Sequence, residues 1–147
     1  MNMQEVVKST GEVSIKIFDA AGKLKEKIFV PNLVVQSGRD WIVSRMGSDT
    51  PVLMSHMAIG SDATATSTSQ TTLISELGRT VLGSSVVVDN TITYTSAFAP
   101  GVGTGSIVEA GIFNDVTAGT MLCRTVFGVV TKDAADTMTI SWTITVS

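Results

Sequence analysis

Charge is scarce in this chain of 147 residues: 16% of them are Asp, Glu, Lys or Arg, against about 25% in an ordinary soluble domain. The formal net charge is −3, so no basic field exists to attract a phosphate backbone, and nucleic-acid binding is not expected. There is one histidine, His56, which excludes a multi-histidine metal site and obliges any Ser-His-Asp arrangement to be built around that residue. There is one cysteine, Cys123, which excludes an internal disulfide and reads as a small apolar core residue. Aromatic residues make up 5%, so a stacking platform for sugars or bases would rest on Trp41, Tyr94 or Trp142. Apolar runs are only a few residues long, far short of the roughly 20 that span a bilayer. Met1 to Thr10 carries Glu5 and Lys8 and no apolar h-region, which argues against a signal peptide and for synthesis and folding in the cytoplasm.

What is abundant is Thr and Ser in alternation with large apolar residues. In the last segment Met138, Ile140, Trp142, Ile144 and Val146 fall on one side. Thr137, Thr139, Ser141, Thr143 and Thr145 fall on the other. A period of two is the mark of a half-buried β-strand, and Thr suits a pleated surface while keeping it wet without charge. Mean hydropathy is +0.35, high for a chain with no membrane span. A neutral surface of this kind is poorly defended against association, so a subunit of an assembly is expected over a solitary monomer.

The length suits one domain, which would bury roughly 68–70% of its unfolded surface without disulfide or metal. Residues 1–10 read as a short polar arm, and 11–147 as a single β-domain in which 11–50 could pack as a hairpin-plus-helix subunit hinged at Met46 to Pro51. Val13, Ile15 and Ile17 mark one strand, Asp19-Ala20-Ala21-Gly22 a turn, and Leu24 to Val30 a second strand that Pro31-Asn32 should break. Ser37 is the expected N-cap of a helix over Gly38 to Met46, with Gly47 at a left-handed C′ position. Trp41, Ile42 and Arg45 give that helix a buried stripe, so it covers one face or end of a sheet or else docks a partner.

Met54 to Ile59 reads as a short strand, and Ser61 to Thr72 as a surface loop with no bulky side chain to anchor it. Leu73, Ile74 and Leu77 suggest one helical turn. Further strands are expected over Arg79 to Val88, Thr91 to Phe98, Ile107 to Phe113, Met121 to Val130 and Thr137 to Val146. The turns between them lie at Asp89-Asn90, Pro100 to Gly105, Asn114 to Thr120 and Thr131 to Asp136. Short strands at this spacing predict a mainly β fold, an antiparallel β-sandwich of jelly-roll type with an N-terminal hairpin and one short helix.

No residue constellation for catalysis emerges, and no catalytic, cofactor or metal residue is assigned. There is no G-x-S-x-G elbow, Gly22-Lys23 lacks the rest of a phosphate loop, and Gly101, Gly103 and Gly105 are too close for a dinucleotide fingerprint. Glu109 is a carboxylate in an apolar strand, and Arg124 holds the same kind of position in the next one. If the turn near Ala118 pairs those strands, the two form a salt bridge; no second carboxylate is placed with Glu109 for glycosidase chemistry. Asp133 and Asp136 bracket a turn and could at most touch Ca²⁺ weakly.

Several blocks of the sequence form one set. They are His56-Met57-Ala58-Ile59-Gly60, Leu77-Gly78-Arg79, and Ile92-Thr93-Tyr94-Thr95 with Phe98. They continue in Glu109-Ala110-Gly111-Ile112-Phe113-Asn114, Gly119 through Phe127, and Ile140-Ser141-Trp142-Thr143-Ile144. Together these blocks resemble tailed-bacteriophage virion proteins over about Met54 to Ser147, and Val30-Pro31-Asn32 with Ser37-Gly38-Arg39 is similar to the usual upstream linker and helix. The resemblance implies a non-enzymatic, homotrimeric component of the virion. A compact domain without shaft or repeats suits a capsid decoration (cement) protein bound to the major capsid protein; a tail-fibre, neck or collar component is the alternative.

Overall fold

The β-rich pattern resolves, in a computed structural model, into strands whose inward residues are those the alternation picks out. The structure describes residues 6–47 and 49–147. In chain order these form β1 (Ser9–Phe18), β2 (Leu24–Val34), α1 (Gln36–Met46), β3 (His56–Gly60), β4 (Glu76–Val81) and β5 (Ser84–Val88). They continue with β6 (Thr91–Phe98), β7 (Gly105–Phe113), β8 (Met121–Lys132) and β9 (Thr137–Val146). In β9, Met138, Ile140 and Trp142 are wholly buried, and the intervening Thr and Ser residues are half-buried. Directly opposite on β1 stand Ile17, Ile15 and Val13. Each aliphatic side chain in such a row contributes about 1.5–3 kcal/mol relative to leaving it in water.

All nine strands form one antiparallel sheet in the order β4-β3-β7-β8-β2-β1-β9-β6-β5, curled as a half-barrel. Two places produce the curl. β2 pairs with β1 as far as Asn32 and then with β8 through Leu33 and Val34, so it belongs to both halves. At the other side the chain steps from β4, at one end of the sheet, to β5, at the opposite end, through Leu82 and Gly83. Leu82 N–H donates to Ser55 O (2.8 Å) and Gly83 N–H to Thr95 O (2.7 Å), which draws the two ends toward each other. The space between the halves is filled by one core that includes Trp142, Phe98, Ile112 and Ile59.

Several sequence expectations are corrected here. Pro31-Asn32 does not end β2: the strand is exchanging partners there, and the Pro31 carbonyl accepts from Thr125 Oγ1 (2.9 Å). The arm's last residues, Ser9 and Thr10, belong to β1, while residues 1–5 lie outside the described residues. Ser37 is not the N-cap; Val35 is, and Ser37 Oγ donates instead to Met121 O (2.8 Å) in the first turn of α1. Gly47 is extended (φ −98°), not left-handed. The expected strand over Arg79 to Val88 is two strands, and the expected turn of helix at Leu73, Ile74 and Leu77 is not formed. The Ile74 and Ser75 N–H groups are taken by a carboxylate, and Leu77 is in β4. Turn chemistry matches expectation at Gly22 (φ 81°) and Asp89 (φ 51°). Asp19 Oδ1 accepts from the N–H groups of Ala21 and Lys23 at 2.9 Å each.

Candidate functional surface

Glu109 and Arg124 sit on adjacent strands, β7 and β8, where Glu109 faces Val126 and Arg124 faces Gly111. The side chains meet diagonally. Arg124 Nη2 lies 2.8 Å and Nε 3.0 Å from Glu109 Oε2, and both side chains are fully buried. Among the described residues, the further hydrogen-bond partners of both side chains come from the Ser61–Ser75 segment. Glu109 Oε1 accepts from Ser75 N–H (2.8 Å) and Oε2 from Ile74 N–H (3.1 Å). Arg124 Nη1 donates to Thr64 O (2.8 Å) and Gln70 Oε1 (3.1 Å). The segment lies on the surface as expected, with no bulky side chain of Ser61–Thr72 in the core, and polar groups fasten it to the sheet. Leu73 completes the attachment, buried in a small cluster with Val35, Ala58, Phe113 and Met121. Gln36 N–H donates to Thr68 O (2.8 Å), so the start of α1 and the loop brace each other.

The other residues singled out in the sequence have local partners. His56 Nδ1 is 2.8 Å from Ser55 Oγ at the start of β3, and no carboxylate is among its hydrogen-bond partners in the described residues. Asp136 is almost fully buried and accepts from Lys25 Nζ (2.7 Å) and Asp133 N–H (2.9 Å), with Asp133 itself 3.2 Å from the same ammonium. The Lys25 ammonium holds the Asp136 carboxyl below its usual range, and the two carboxylates hold Lys25 above its own. Among the described residues no group of three His, Cys, Asp or Glu side chains is placed to hold a metal ion, and no helix is long and apolar enough to cross a membrane. Trp41 is half-buried with its indole N–H on Val52 O (2.9 Å). Tyr94 and Trp142 point into the core.

What remains is surface. On the outer side of the β1-β9-β6-β5 half, the register aligns Ser14, Ser141, Thr95 and Ser84 in one row and Glu12, Thr143, Thr93 and Val86 in the next. Neighbouring strands are about 4.8 Å apart, and Thr93 and Thr143 hydroxyls touch at 2.9 Å. Not one residue of β5, β6 or β9 is charged, so a neutral plane three strands wide, hydroxyl-covered on β9 and β6, ends in the bare strand β5 with Ser84, Val86 and Val88 on that face. A second apolar feature is a groove of about 660 Å³ between residues 6–10, α1 and the end of β9, lined by Val6, Val7, Ile42, Val43 and Met46 with Arg39 at its margin. The alternation of β9 and β6 made the Thr/Ser plane legible; β5 carried no such signal, since Val86, Val87 and Val88 run without alternation. Compared with known protein families, characterised proteins and solved structures, the chain matches none.

Proposed function

We propose that this chain is a structural component of a tailed-phage virion, a decoration or cement protein that binds the outside of an assembled capsid and reinforces contacts between major capsid proteins. The observation that carries the reading is the uncharged plane across β9, β6 and β5, covered by Thr and Ser on the first two strands. Such a plane can be covered by another protein without stranding any ion, because hydroxyls satisfy one another or a partner's backbone. The resemblance of Met54–Ser147 to virion proteins gives the same direction. In this reading the two halves of the curled sheet act as the layers of a jelly-roll-like sandwich, the subunit works as a homotrimer, and it is made in the host cytoplasm and carried in the virion. Interfaces of about 1,600 Å², repeated around each trimer, would make loss of the shell costly.

The test is thermal disruption of purified capsids with and without the protein. Capsids lacking it should open at a lower temperature, and equal stability overturns the reading. Copy number separates the alternative: hundreds per particle fit decoration, a handful fits a tail-fibre, neck or collar component. That second reading is favoured by one observation, the fixed presentation of Ser61–Thr72 by Glu109 and Arg124, which suits a loop shown to a host receptor. It expects altered adsorption on changing Ser61–Thr72 or Pro100–Gly105, with capsid strength unchanged.

A further inference from the structure

Strand β5 pairs only with β6 among the described residues, and all five of its residues are exposed. Val86, Val87 and Val88 are 52%, 70% and 59% exposed. An edge strand turns alternate N–H and C=O groups outward, and proteins usually guard such edges with Lys, Pro or an inward charge. Gly83 to Val88 has none of these. Val87 lies in the inward row of Ile92 and Ile144, yet it remains open to solvent, so the β5–β6 hairpin reaches beyond the core it would otherwise cover.

We propose that β5 pairs antiparallel with β5 of a second copy of this chain, across a twofold axis through Val86. Sequence self-complementarity selects this occupant: Val86 meets Val86, Ser85 meets Val87, and Ser84 meets Val88, so no position confronts a charge. Electrostatics selects the direction. The first charged residue beyond the strand is Asp89, and antiparallel pairing sets each Asp89 opposite the partner's small Gly83, with the two carboxylates roughly 20 Å apart at 3.4 Å per residue. Parallel pairing would align them side by side. A charged peptide finds no counter-charge anywhere on β5, β6 or β9. The contact is isologous, and it joins two neutral planes into one continuous sheet. It stands on the edge alone and holds whatever the assembly coats.

The experiment is sedimentation of the full chain over a range of concentrations, as wild type and as Val86→Lys, with Val129→Lys, at an exposed position of the otherwise largely buried β8, as control. The wild type should associate in an even number of copies. Val86→Lys places two ammonium groups against each other at the centre of the pair, and should halve that mass while the control leaves it unchanged. An equimolar mixture of Val86→Lys and Val86→Glu should restore it, which also shows that both variants are folded. Wild type that remains monomeric or forms only trimers overturns the proposal, as does an unchanged mass for Val86→Lys. A mixture that stays apart overturns the Val86-centred pairing.

Discussion

Arg124 donates through Nη2 and Nε to a single oxygen of Glu109, at 2.8 and 3.0 Å, in a site that solvent does not reach. Glu109 was the one carboxylate in the sequence with an unusual position, and its surroundings give it a structural task. One oxygen faces the guanidinium and the Ile74 N–H, the other the Ser75 N–H. A carboxylate so enclosed is an acceptor for a loop that supplies no apolar anchor of its own except Leu73.

Removing Arg124 should therefore cost more than a surface change. Arg124→Met leaves the Glu109 carboxylate buried without its counter-ion, and breaking a buried pair destabilises by about 3–5 kcal/mol. Replacing both partners by apolar residues often rescues a buried pair, but here Glu109→Leu with Arg124→Met should not recover the loss. It would orphan the Ile74 and Ser75 N–H groups and the Thr64 carbonyl. Denaturant midpoints give the stability, and limited proteolysis should show new cleavage confined to Ser61–Ser75 in both variants.

Gly38 should be intolerant of the smallest side chain. In an exposed helix, Gly→Ala stabilises by about 1 kcal/mol. At Gly38 a Cβ would overlap the Leu122 carbonyl oxygen, part of a β8 backbone that cannot turn aside. Gly38→Ala should reverse the usual sign and destabilise by about 1–3 kcal/mol, lifting α1 from β8 and breaking the neighbouring Ser37–Met121 bond. Thermal unfolding measures the sign directly.

How far the sequence can be read depends on where each residue finds its partner. β6 and β9 follow from alternation because burial on one face and water on the other impose a period of two. The Glu109–Arg124 contact was legible because a single turn joins the strands that carry it. The fastening of Ser61–Thr72 was not, since Arg124 reaches Thr64 from 60 residues away and nothing in the loop marks the attachment. Leu82-Gly83 was equally silent: the apolar pattern continues through it, and only the pull of Ser55 and Thr95 on two backbone N–H groups divides β4 from β5. At Ser37 a plausible cap lost to a tertiary acceptor, the Met121 carbonyl.

Acid should weaken the fold through Asp136. Its carboxyl is held down by Lys25 Nζ at 2.7 Å and by the Asp133 N–H. A depressed carboxylate contributes stability that is fully present above the ordinary Asp range, near pH 4, and is lost as pH falls through its lower folded value. Urea midpoints should decline below about pH 4. In Lys25→Met the midpoint at pH 7 should be lower and the acid decline shallower, because the main cause of the depression is gone. An identical acid slope in the variant would assign the effect to other carboxylates.

Alkali should weaken the fold through two buried acids in the core. Burial first, and the nearby Cys123 second, push the Tyr94 phenol up to about 12. Burial pushes the Cys123 thiol well above its usual value of 9.0. Both are neutral in the folded state over a range where the unfolded chain has begun to lose the proton. Their contribution is whole below the unfolded values and declines as pH rises, from about 9 for the thiol and about 10 for the phenol. Each group can add at most about 1.4 kcal/mol of destabilisation per pH unit in its window. Tyr94→Phe should flatten the stability curve between about pH 10 and 12, and Cys123→Ala should flatten it from about pH 9. A thiol reagent supplies the independent check: Cys123 is completely enclosed between Ile112 and Val34 in the sheet register. Its modification should proceed only as fast as the β7–β8–β2 region opens, and rapid modification of the native protein would contradict that placement.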